Sequence, residues 1–206
     1  MEQSEKYLLR NDTLLSIRNR RSMRVFIDKP INDDDLWTIL RAANQAPSAH
    51  NQQSWRFVIL RGQKKIDLAN FVSSKAHNFS RPSSTLLRMA ARSIVSAPIV
   101  IAVANSGELI SRGTELFKVD KNSAYDFFRI MEIQSSAAAV QNLLIAATSI
   151  GLATVWLGIL VLIKNDVLRF IGEPEGEFMA VVPVGYAGQI STEPGKKSLE
   201  AVVRYL

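Results

Sequence analysis

A run of small polar and amide side chains stands directly before a β-prone stretch of the chain. Residues 48–54 read SAHNQQS, and residues 55–60 read WRFVIL. Asparagine and glutamine each carry a hydrogen-bond donor and an acceptor without a charge, so a group of them suits the edge of a flat polar heterocycle. The simpler interpretation is a loop whose side chains hydrogen-bond to their own backbone, and both interpretations stay open at this point. We call residues 48–54 the amide-rich segment.

A cluster of arginines lies upstream of the amide-rich segment. Residues 18–24 read RNRRSMR, which places four arginines within seven positions. Planar guanidinium groups bind two oxygens of a phosphate at once, although such a run is often a solvated surface. A phosphate together with a heterocycle indicates a nucleotide or a flavin. The sequence contains neither G-x-G-x-x-G after a strand nor G-x-x-x-x-G-K-[ST], so side chains would have to hold the phosphate.

The composition excludes several other kinds of site. The 206 residues include no cysteine and two histidines, which excludes disulfides, thiolate nucleophiles and histidine-rich metal sites. Redox chemistry would therefore need a bound organic cofactor. The net charge of +6 favours anionic partners, but no aromatic residues interleave with the arginines, which disfavours nucleic acid. Because residues 1–12 lack the apolar core of a secretory signal, we expect a cytoplasmic protein.

The elements that would position these side chains are a mixture of helices and strands. The spacing of apolar residues predicts helices near 12–19, 31–46, 62–76, 83–93, 124–150 and 164–172. Strands are predicted at 55–61, 96–106, 152–158 and 177–188. Asp12 or Thr13 would cap the first helix, and Asn32 or Asp33 the second. Residues 107–123 read as a polar loop or lid, and the tail reads as extended.

One uncharged stretch has a rival interpretation. No charged residue occurs from Ile133 to Ile163, and residues 143–163 would be long enough to cross a bilayer. Against a membrane span, Gly151 and Gly158 interrupt the run, β-branched and aromatic residues follow Gly151, and no basic cluster flanks its N-terminal side. We therefore expect a helix that is buried nearly all round, and no membrane partner.

Six segments of the chain, taken in order, resemble the FMN-dependent nitroreductase family. They are RRSMRVF (20–26), APSAHNQQSWRFVIL (46–60), SAPIVIAVA (96–104), AAAVQNLLIAATSIGLATVWLG (137–158), VVPVGYAG (181–188) and KKSLEAVVRYL (196–206). The resemblance implies an α+β fold in which helices flank a central, mostly antiparallel sheet. It also implies one domain over residues 1–206 and an intertwined homodimer with FMN in each of two interfacial clefts. The tail, about 195–206, would extend onto the partner subunit.

The resemblance further implies which side chains hold the cofactor. The residues that match the family's phosphate and ribityl contacts are Arg20, Arg21, Ser22, Lys196 and Lys197. Arg24 matches a basic position beside the pyrimidine ring, with an ordinary surface arginine as the alternative. A cation there would stabilise the negative charge that two-electron reduction places on N1 and O2 of the flavin.

Two further motifs match positions along the flavin ring. Ser48, Asn51 and Gln53 match the family's S-x-x-N-x-Q pattern, which would hold the ring edge and position N5. His50 lies between them and is assigned no role. The segment that passes the flavin face would comprise Trp156, Leu157 and Gly158. Glycine would let the backbone approach the ring closely, whereas Trp156 could equally be an ordinary core residue.

These matches predict an FMN-dependent oxidoreductase. NADH or NADPH would reduce the flavin at N5, and a nitroaromatic, quinone or similar small acceptor would then be reduced by a ping-pong mechanism. We assign no catalytic side chain, because the cofactor supplies the reactive atom. The alternative is a flavin-binding protein without turnover, acting as a carrier or sensor. A basic protein that binds nucleic acid or a membrane surface ranks below both.

The chain departs from the family's motifs at several positions. Ser54 stands where many members carry proline, and Ser135 and Ala137 stand where many carry aspartate and glycine. Lys196 and Ser198 replace the arginine and proline that are usual in the closing motif. These departures leave the expected fold unchanged, and they weaken any expectation about which substrate is used.

Overall fold

The computed structural model describes residues 5–116, 120–189 and 192–206, and its elements largely follow the predicted mixture. The helices are α1 (Asp12–Asn19), α2 (Asp33–Asn44), α3 (Gly62–Lys75), α4 (Ser83–Ser96), α5 (Glu108–Leu116), α6 (Lys121–Ser149) and α7 (Lys164–Ile171). The strands are β1 (Phe26–Ile27), β2 (Trp55–Leu60), β3 (Ile99–Asn105), β4 (Ala153–Thr154) and β5 (Glu177–Ala187). Short 3₁₀ helices span Glu5–Leu9, Ala49–Asn51, Ala76–Asn78, Gly158–Ile163 and Leu199–Ala201.

The five strands form one sheet in the order β1-β5-β3-β2, and β4 also pairs with β5. The strand pairs β1–β5, β2–β3, β3–β5 and β4–β5 are all antiparallel. A single parallel bridge joins Ser22 to Thr154, which attaches the chain after α1 to the short strand β4. The predicted α+β fold with a mostly antiparallel sheet is therefore confirmed.

The central strand β3 separates two hydrophobic layers. Ile99, Ile101 and Val103 pack against α2 and α6. The alternate residues, from Val100 to Ala104, pack against α3, α4 and α7. Successive side chains of a strand point to opposite faces, so a strand that is covered on both faces reads as a continuous apolar run. The layered core explains why residues 99–104 carry no polar side chain.

The starts of the first two helices show how polar residues fix helix boundaries. The Asn32 side chain accepts a hydrogen bond from the backbone N–H of Asp35 at 2.6 Å, which confirms the predicted cap of α2. The three aspartates that follow favour the positive end of the helix dipole. For α1 the predicted cap was wrong by one residue, because Asn11 is the residue that accepts from the N–H of Leu14, at 2.9 Å. Asparagine is among the most favourable caps.

The prediction of a polar loop over residues 107–123 was wrong. Residues 108–116 form α5, α6 begins at Lys121, and residues 117–119 lie outside the described residues. Leu109 is buried against α6, and a Cβ on Gly113 would lie 2.4 Å from the ring of Phe128. Gly113 is therefore what lets α5 pack closely on α6. Whether this segment closes over a site stays a prediction.

Two other predicted elements also differ from the structure. The strand expected over 152–158 is limited to Ala153–Thr154, because the chain then turns into the 3₁₀ helix that starts at Gly158. In the tail, residues 199–201 form a 3₁₀ helix, and the remainder is exposed without regular structure. The contact of this tail with a partner subunit stays a prediction.

Helix α6 is 29 residues long and contains most of the uncharged stretch. Within the described ranges, no helix combines the length and the apolar character that crossing a membrane requires. In the second half of α6, residues such as Val140 and Leu143 are buried, whereas Gln141 and Ser149 are exposed, so this half is buried on one side and not nearly all round as expected. Its first half is not buried all round, since Phe127 and Ile130 are 52% and 53% exposed.

An ion-pair triad predicts how acid should affect stability. At the start of β5, Glu177 accepts hydrogen bonds from Arg129 at 2.8 Å and from Lys164 at 3.3 Å. Burial raises the pKa of Glu177, but the two cations outweigh burial, so this pKa lies below its ordinary value. We expect Glu177→Gln to lower the free energy of unfolding near neutral pH by about 1–2 kcal/mol.

Urea denaturation of both proteins at several pH values measures this effect. The advantage of the wild type should be complete above the ordinary glutamate pKa and should disappear as pH falls through the lowered folded-state pKa. The control is Asp33→Asn, which removes an exposed pair with Arg61 and should cost less than about 1 kcal/mol. A difference between wild type and Glu177→Gln that persists at low pH would contradict the electrostatic explanation.

Candidate functional site

The amide-rich segment connects α2 to β2 in an unusual backbone conformation. His50, Asn51 and Gln53 have φ angles of 52°, 53° and 53°. Non-glycine residues adopt this left-handed region rarely, and each costs on the order of 1–3 kcal/mol. Such residues persist where the surrounding contacts fix them, and they concentrate at binding and active sites. The strain therefore favours a functional role for the amide-rich segment over an ordinary loop.

Hydrogen bonds within the segment bring together three of the predicted site residues. The backbone N–H of Gln53 donates to Ser48 Oγ at 3.0 Å, and Gln53 Nε2 donates to Asn51 Oδ1 at 3.0 Å. We call Ser48, Asn51 and Gln53 the amide cluster. The interpretation of a loop that satisfies its own polar groups is thus partly correct, because these contacts are what hold the strained conformation.

A buried carboxylate lies behind the segment, and the sequence analysis did not identify it. Glu132 of α6 is 3% exposed. Its oxygens accept hydrogen bonds from Ser54 Oγ at 2.9 Å, from the backbone N–H of Leu109 at 2.6 Å and from Asn105 Nδ2 at 2.8 Å. Three donors compensate the loss of water around this buried group. One feature of the sequence could have pointed to this residue: Glu132 is the last charged residue before the uncharged stretch.

The outer side of the segment carries exposed charged residues of α5 and β2. Gln52 Nε2 donates to Glu108 Oε2 at 3.1 Å, and Arg112 Nη1 donates to Gln52 Oε1 at 3.3 Å. Arg56 forms an ion pair with Glu108, and the Ser106 hydroxyl also donates to that carboxylate. The Ser106 hydrogen bond, together with those from Gln52 and Arg56, outweighs burial and holds the pKa of Glu108 below its ordinary value. Glu108 is therefore ionised at neutral pH.

An open groove of about 260 Å³ runs between the segment and α6. It is lined by Pro47, Ser48, Ala49, Met131, Gln134, Ser135 and Ala138. Ser135 Oγ accepts from the N–H of Ala49 at 3.1 Å and donates to the Met131 carbonyl at 2.7 Å, which fixes the floor of the groove. A larger groove of about 340 Å³ lies between α3 and α4, but it contains none of the predicted site residues. The smaller groove is accordingly the better candidate.

The predicted phosphate residues lie around the end of α1. Arg20 ends the helix, with its N–H bonded to the Ser16 carbonyl at 3.0 Å. The Arg21 guanidinium donates to the Arg20 carbonyl at 3.0 Å and forms a 3.0 Å ion pair with Glu193. Ser22 follows and is bridged to β4. We call Arg20, Arg21 and Ser22 the arginine cluster.

The structure places some of the remaining predicted site residues beside the arginine cluster and leaves others exposed. The parallel bridge between Ser22 and Thr154 brings the arginine cluster beside the chain that leads to Trp156, Leu157 and Gly158. The ion pair of Glu193 brings the start of the tail to the same place, whereas Lys196 and Lys197 are exposed and make no hydrogen bond or ion pair in the described part of the chain. Arg24 is exposed as well, with one long hydrogen bond of 3.5 Å to the Ser22 carbonyl.

Gly158 stands where this chain does not need a glycine. Its backbone is not left-handed, and a Cβ at this position would meet no atom within 4 Å. The preceding residue Leu157 is buried and donates its N–H to the Val181 carbonyl at 3.0 Å, which fixes the backbone. Trp156 is partly buried against the layer formed by α2 and α6. The space in front of Gly158 is therefore open for a molecule outside the chain.

Among the described residues, no hydrogen bond or ion pair joins the arginine cluster to the amide cluster. The arginine cluster is attached to β4 and to Glu193, whereas the amide-rich segment that carries the amide cluster is attached to α6 through Ala49 and to α5 through Gln52. The two clusters are thus supported by different elements of the fold.

Comparisons with known proteins identify the relatives of this chain. The sequence profile of the nitroreductase family matches residues 17–186. A protein of Archaeoglobus fulgidus, provisionally named an NADH dehydrogenase/NAD(P)H nitroreductase, is 32% identical over 148 residues, which are 72% of this chain and 68% of that protein.

Solved structures of the same fold include two whose ligands or activity are stated. A nitroreductase with bound FMN from Desulfitobacterium hafniense superposes with a TM-score of 0.69 at 22% identity, covering 95% of this chain and 98% of that one. The NADPH:FMN oxidoreductase of Vibrio harveyi, complexed with NAD⁺, superposes with a TM-score of 0.75 at 22% identity, covering 95% and 77%. At these identities the two structures support the fold alone.

The buried carboxylate predicts a strong dependence of the fold on Glu132. In Glu132→Gln, one acceptor oxygen becomes an NH₂ donor that faces either the donors of Ser54 and Leu109 or that of Asn105, so a buried contact between two donors replaces a hydrogen bond. We expect the free energy of unfolding to fall by about 1–3 kcal/mol. Glu108→Gln is the control, because the exposed carboxylate that it removes should contribute less than about 1 kcal/mol. If urea denaturation shows that the two variants lose the same free energy of unfolding, the fold does not depend on the buried hydrogen bonds of Glu132.

Proposed function

Because this chain belongs to the nitroreductase family, we propose that it is an oxidoreductase that uses FMN to transfer electrons from NADH or NADPH to a nitroaromatic, quinone or similar small acceptor. The observation that carries the proposal is the strained amide-rich segment, in which three non-glycine residues are held in left-handed conformations. The names of an NAD(P)H nitroreductase relative and of an FMN-bound structural neighbour support the choice of cofactors.

The side chains of the two clusters fit the chemical parts of FMN. Arg20 has no carboxylate partner among the described residues, so its guanidinium is available for a phosphate, which it can bind through two parallel hydrogen bonds. Arg21 already pairs with Glu193 and would share its remaining donors. Asn51 is exposed, and its Nδ2 makes no hydrogen bond in the described ranges, so it can donate to a ring acceptor. Gly158 leaves room for a flat ring against the backbone.

Two copies of the chain would complete the site. Within one protomer no hydrogen bond or ion pair of the described residues joins the amide cluster to the arginine cluster, and in this proposal each FMN binds between the arginine cluster of one copy and the amide cluster of the other. Large apolar side chains that one protomer leaves exposed, among them Phe127 and Ile130 of α6 and Tyr205 of the tail, support burial between copies. The homodimer is thus part of the proposal.

The chain would contribute orientation and electrostatics to the reaction. Bound FMN would supply the N5 atom that accepts a hydride, a step for which no side chain of this protein is suited. The strained segment offers its amides in a fixed position, which avoids the cost of ordering them when the ligand binds. A cation such as Arg24 near the pyrimidine end would stabilise the charge of the reduced ring. A flavin carrier or sensor without turnover is the second candidate, since the same contacts bind the ring.

An absorption spectrum tests the proposal directly. We expect the purified protein to be yellow, or to become so on addition of FMN, and to lose its absorbance anaerobically on addition of NADH or NADPH. Recovery of the absorbance with a nitroaromatic or quinone would complete the cycle. Absence of any FMN binding would refute the proposed function, and binding without bleaching by either nicotinamide would favour the carrier or sensor.

Gly158 provides a sharper test of where the ring lies. We expect Gly158→Leu to raise the FMN dissociation constant at least about tenfold, because the new side chain occupies the open space in front of the backbone. Folding of the FMN-free protein should be unaffected, since no atom of the chain lies near the added Cβ. The control is Val161→Leu, which enlarges an exposed residue of the same 3₁₀ helix. An unchanged dissociation constant in Gly158→Leu would remove residues 156–158 from the site.

A further inference from the structure

The arginine of α5 beside the amide-rich segment, Arg112, is not among the arginines of the described chain that pair with carboxylates. Five arginines of the described chain pair with carboxylates, and these are Arg21, Arg56, Arg61, Arg129 and Arg169. Arg112 is exposed and has no carboxylate partner among the described side chains. Its one hydrogen bond in the described residues goes to the neutral amide oxygen of Gln52, at 3.3 Å. The positive charge of Arg112 is therefore not neutralised by that contact.

The position of Arg112 relates it to the proposed flavin site. Gln52, which accepts its hydrogen bond, stands between Asn51 and Gln53 of the amide cluster. The guanidinium consequently lies on the outer side of the amide-rich segment, at the residue between Asn51 and Gln53, and we call this place the rim of the proposed flavin site. A molecule that approaches the flavin on this side would meet Arg112.

A chain of polar contacts orients Arg112 towards this rim. The Gln52 side chain accepts from Arg112 and donates to Glu108, and Arg56 holds Glu108 through an ion pair. Such a chain restricts the rotamers of its members, so less entropy is lost when a ligand binds. The charge of Glu108 is matched by Arg56, and the oxygens of Glu132 are buried among their own donors. Among the described side chains in contact with Gln52, the charge without an opposite partner is that of Arg112.

From this geometry we propose that Arg112 recognises an anionic group, a carboxylate or a phosphate, on the substrate that enters the cleft. The inference rests on the proposed function. A guanidinium has five N–H donors in a planar fork, and at most one of those of Arg112 is used by Gln52. The remaining donors match the two oxygens of a carboxylate or phosphate. Arg112 thus favours anionic substrates over neutral ones of the same shape.

Two substrates could carry the anion, and the two half-reactions separate them. For the reducing half, the anaerobic rate of bleaching is compared for NADH, which carries a diphosphate, and for the uncharged N-benzyl-1,4-dihydronicotinamide. For the oxidising half, the recovery of absorbance is compared for 4-nitrobenzoate and the uncharged 4-nitrobenzamide. Each pair gives a ratio of second-order rate constants, anionic over neutral, so a general loss of activity cancels.

We expect Arg112→Gln to lower one of these ratios at least about tenfold, the change that corresponds to loss of a charge-assisted hydrogen bond. A fall in the NADH ratio assigns Arg112 to the diphosphate, and a fall in the nitrobenzoate ratio assigns it to a carboxylate of the acceptor. Arg112→Lys should retain part of the ratio, because it keeps the charge and loses the fork. The control is Arg41→Gln, an exposed arginine in the last turn of α2, which should leave both ratios unchanged.

Melting temperatures of all variants verify that they are folded. Added salt should lower the wild-type ratio of anionic to neutral rate constants, because salt screens exposed charges. The same ratio in Arg112→Gln should stay nearly constant. Two unchanged ratios in an active Arg112→Gln enzyme would overturn this inference and leave the proposed function intact. Failure of the wild type to bind FMN or to bleach would instead overturn the proposed function, and the inference with it.

Discussion

The candidate site depends on one buried carboxylate. Glu132 lies on α6 under the amide-rich segment, and a charge in the interior is stable only where donors replace the water that it lost. Its three donors come from different places: Ser54 at the start of β2, Asn105 at the end of β3 and the N–H of Leu109 in α5. Moving any of these elements would leave the carboxylate short of a donor. The requirement therefore fixes where β2 begins and where α5 starts.

The hydrogen bonds of Glu132 explain how the chain keeps the amide-rich segment in a strained conformation. The left-handed residues at 50, 51 and 53 lie between two attachments to α6, the Ala49 N–H on Ser135 and the Ser54 hydroxyl on Glu132. Ser135 and Glu132 are three residues apart, which places them on the same face of the helix. With both ends fixed, the segment cannot relax without breaking buried hydrogen bonds. Rigidity of this kind costs stability and presents amides to a ligand in a constant arrangement.

The sequence allowed the layers of the fold to be predicted, because their signals are local. The continuous apolar run of residues 99–104 and the aspartates after Asn32 need no knowledge of distant residues. Helix α5 could not be predicted in this way, since it packs on α6 through the close approach of Gly113 to Phe128, which its own polar sequence does not indicate. The partners of charged side chains could not be predicted from the sequence either. Arg56 and Arg112 look alike in the sequence, and the fold alone decides that the first pairs with Glu108 and the second with a neutral amide.

The serine at position 54, where the family's motif often has proline, is explained by its hydrogen bond to Glu132. Many nitroreductases carry proline where this chain has Ser54, and proline has no hydroxyl to donate. With proline at this position, the Glu132 oxygen that accepts from both Ser54 and Leu109 would retain the Leu109 N–H alone. Ser54 and Glu132 are therefore a matched pair, in which each polar group removes the cost of burying the other. Because the pair lies behind the amide cluster, the exchange of proline for serine alters the support of the segment and leaves its exposed amides in place.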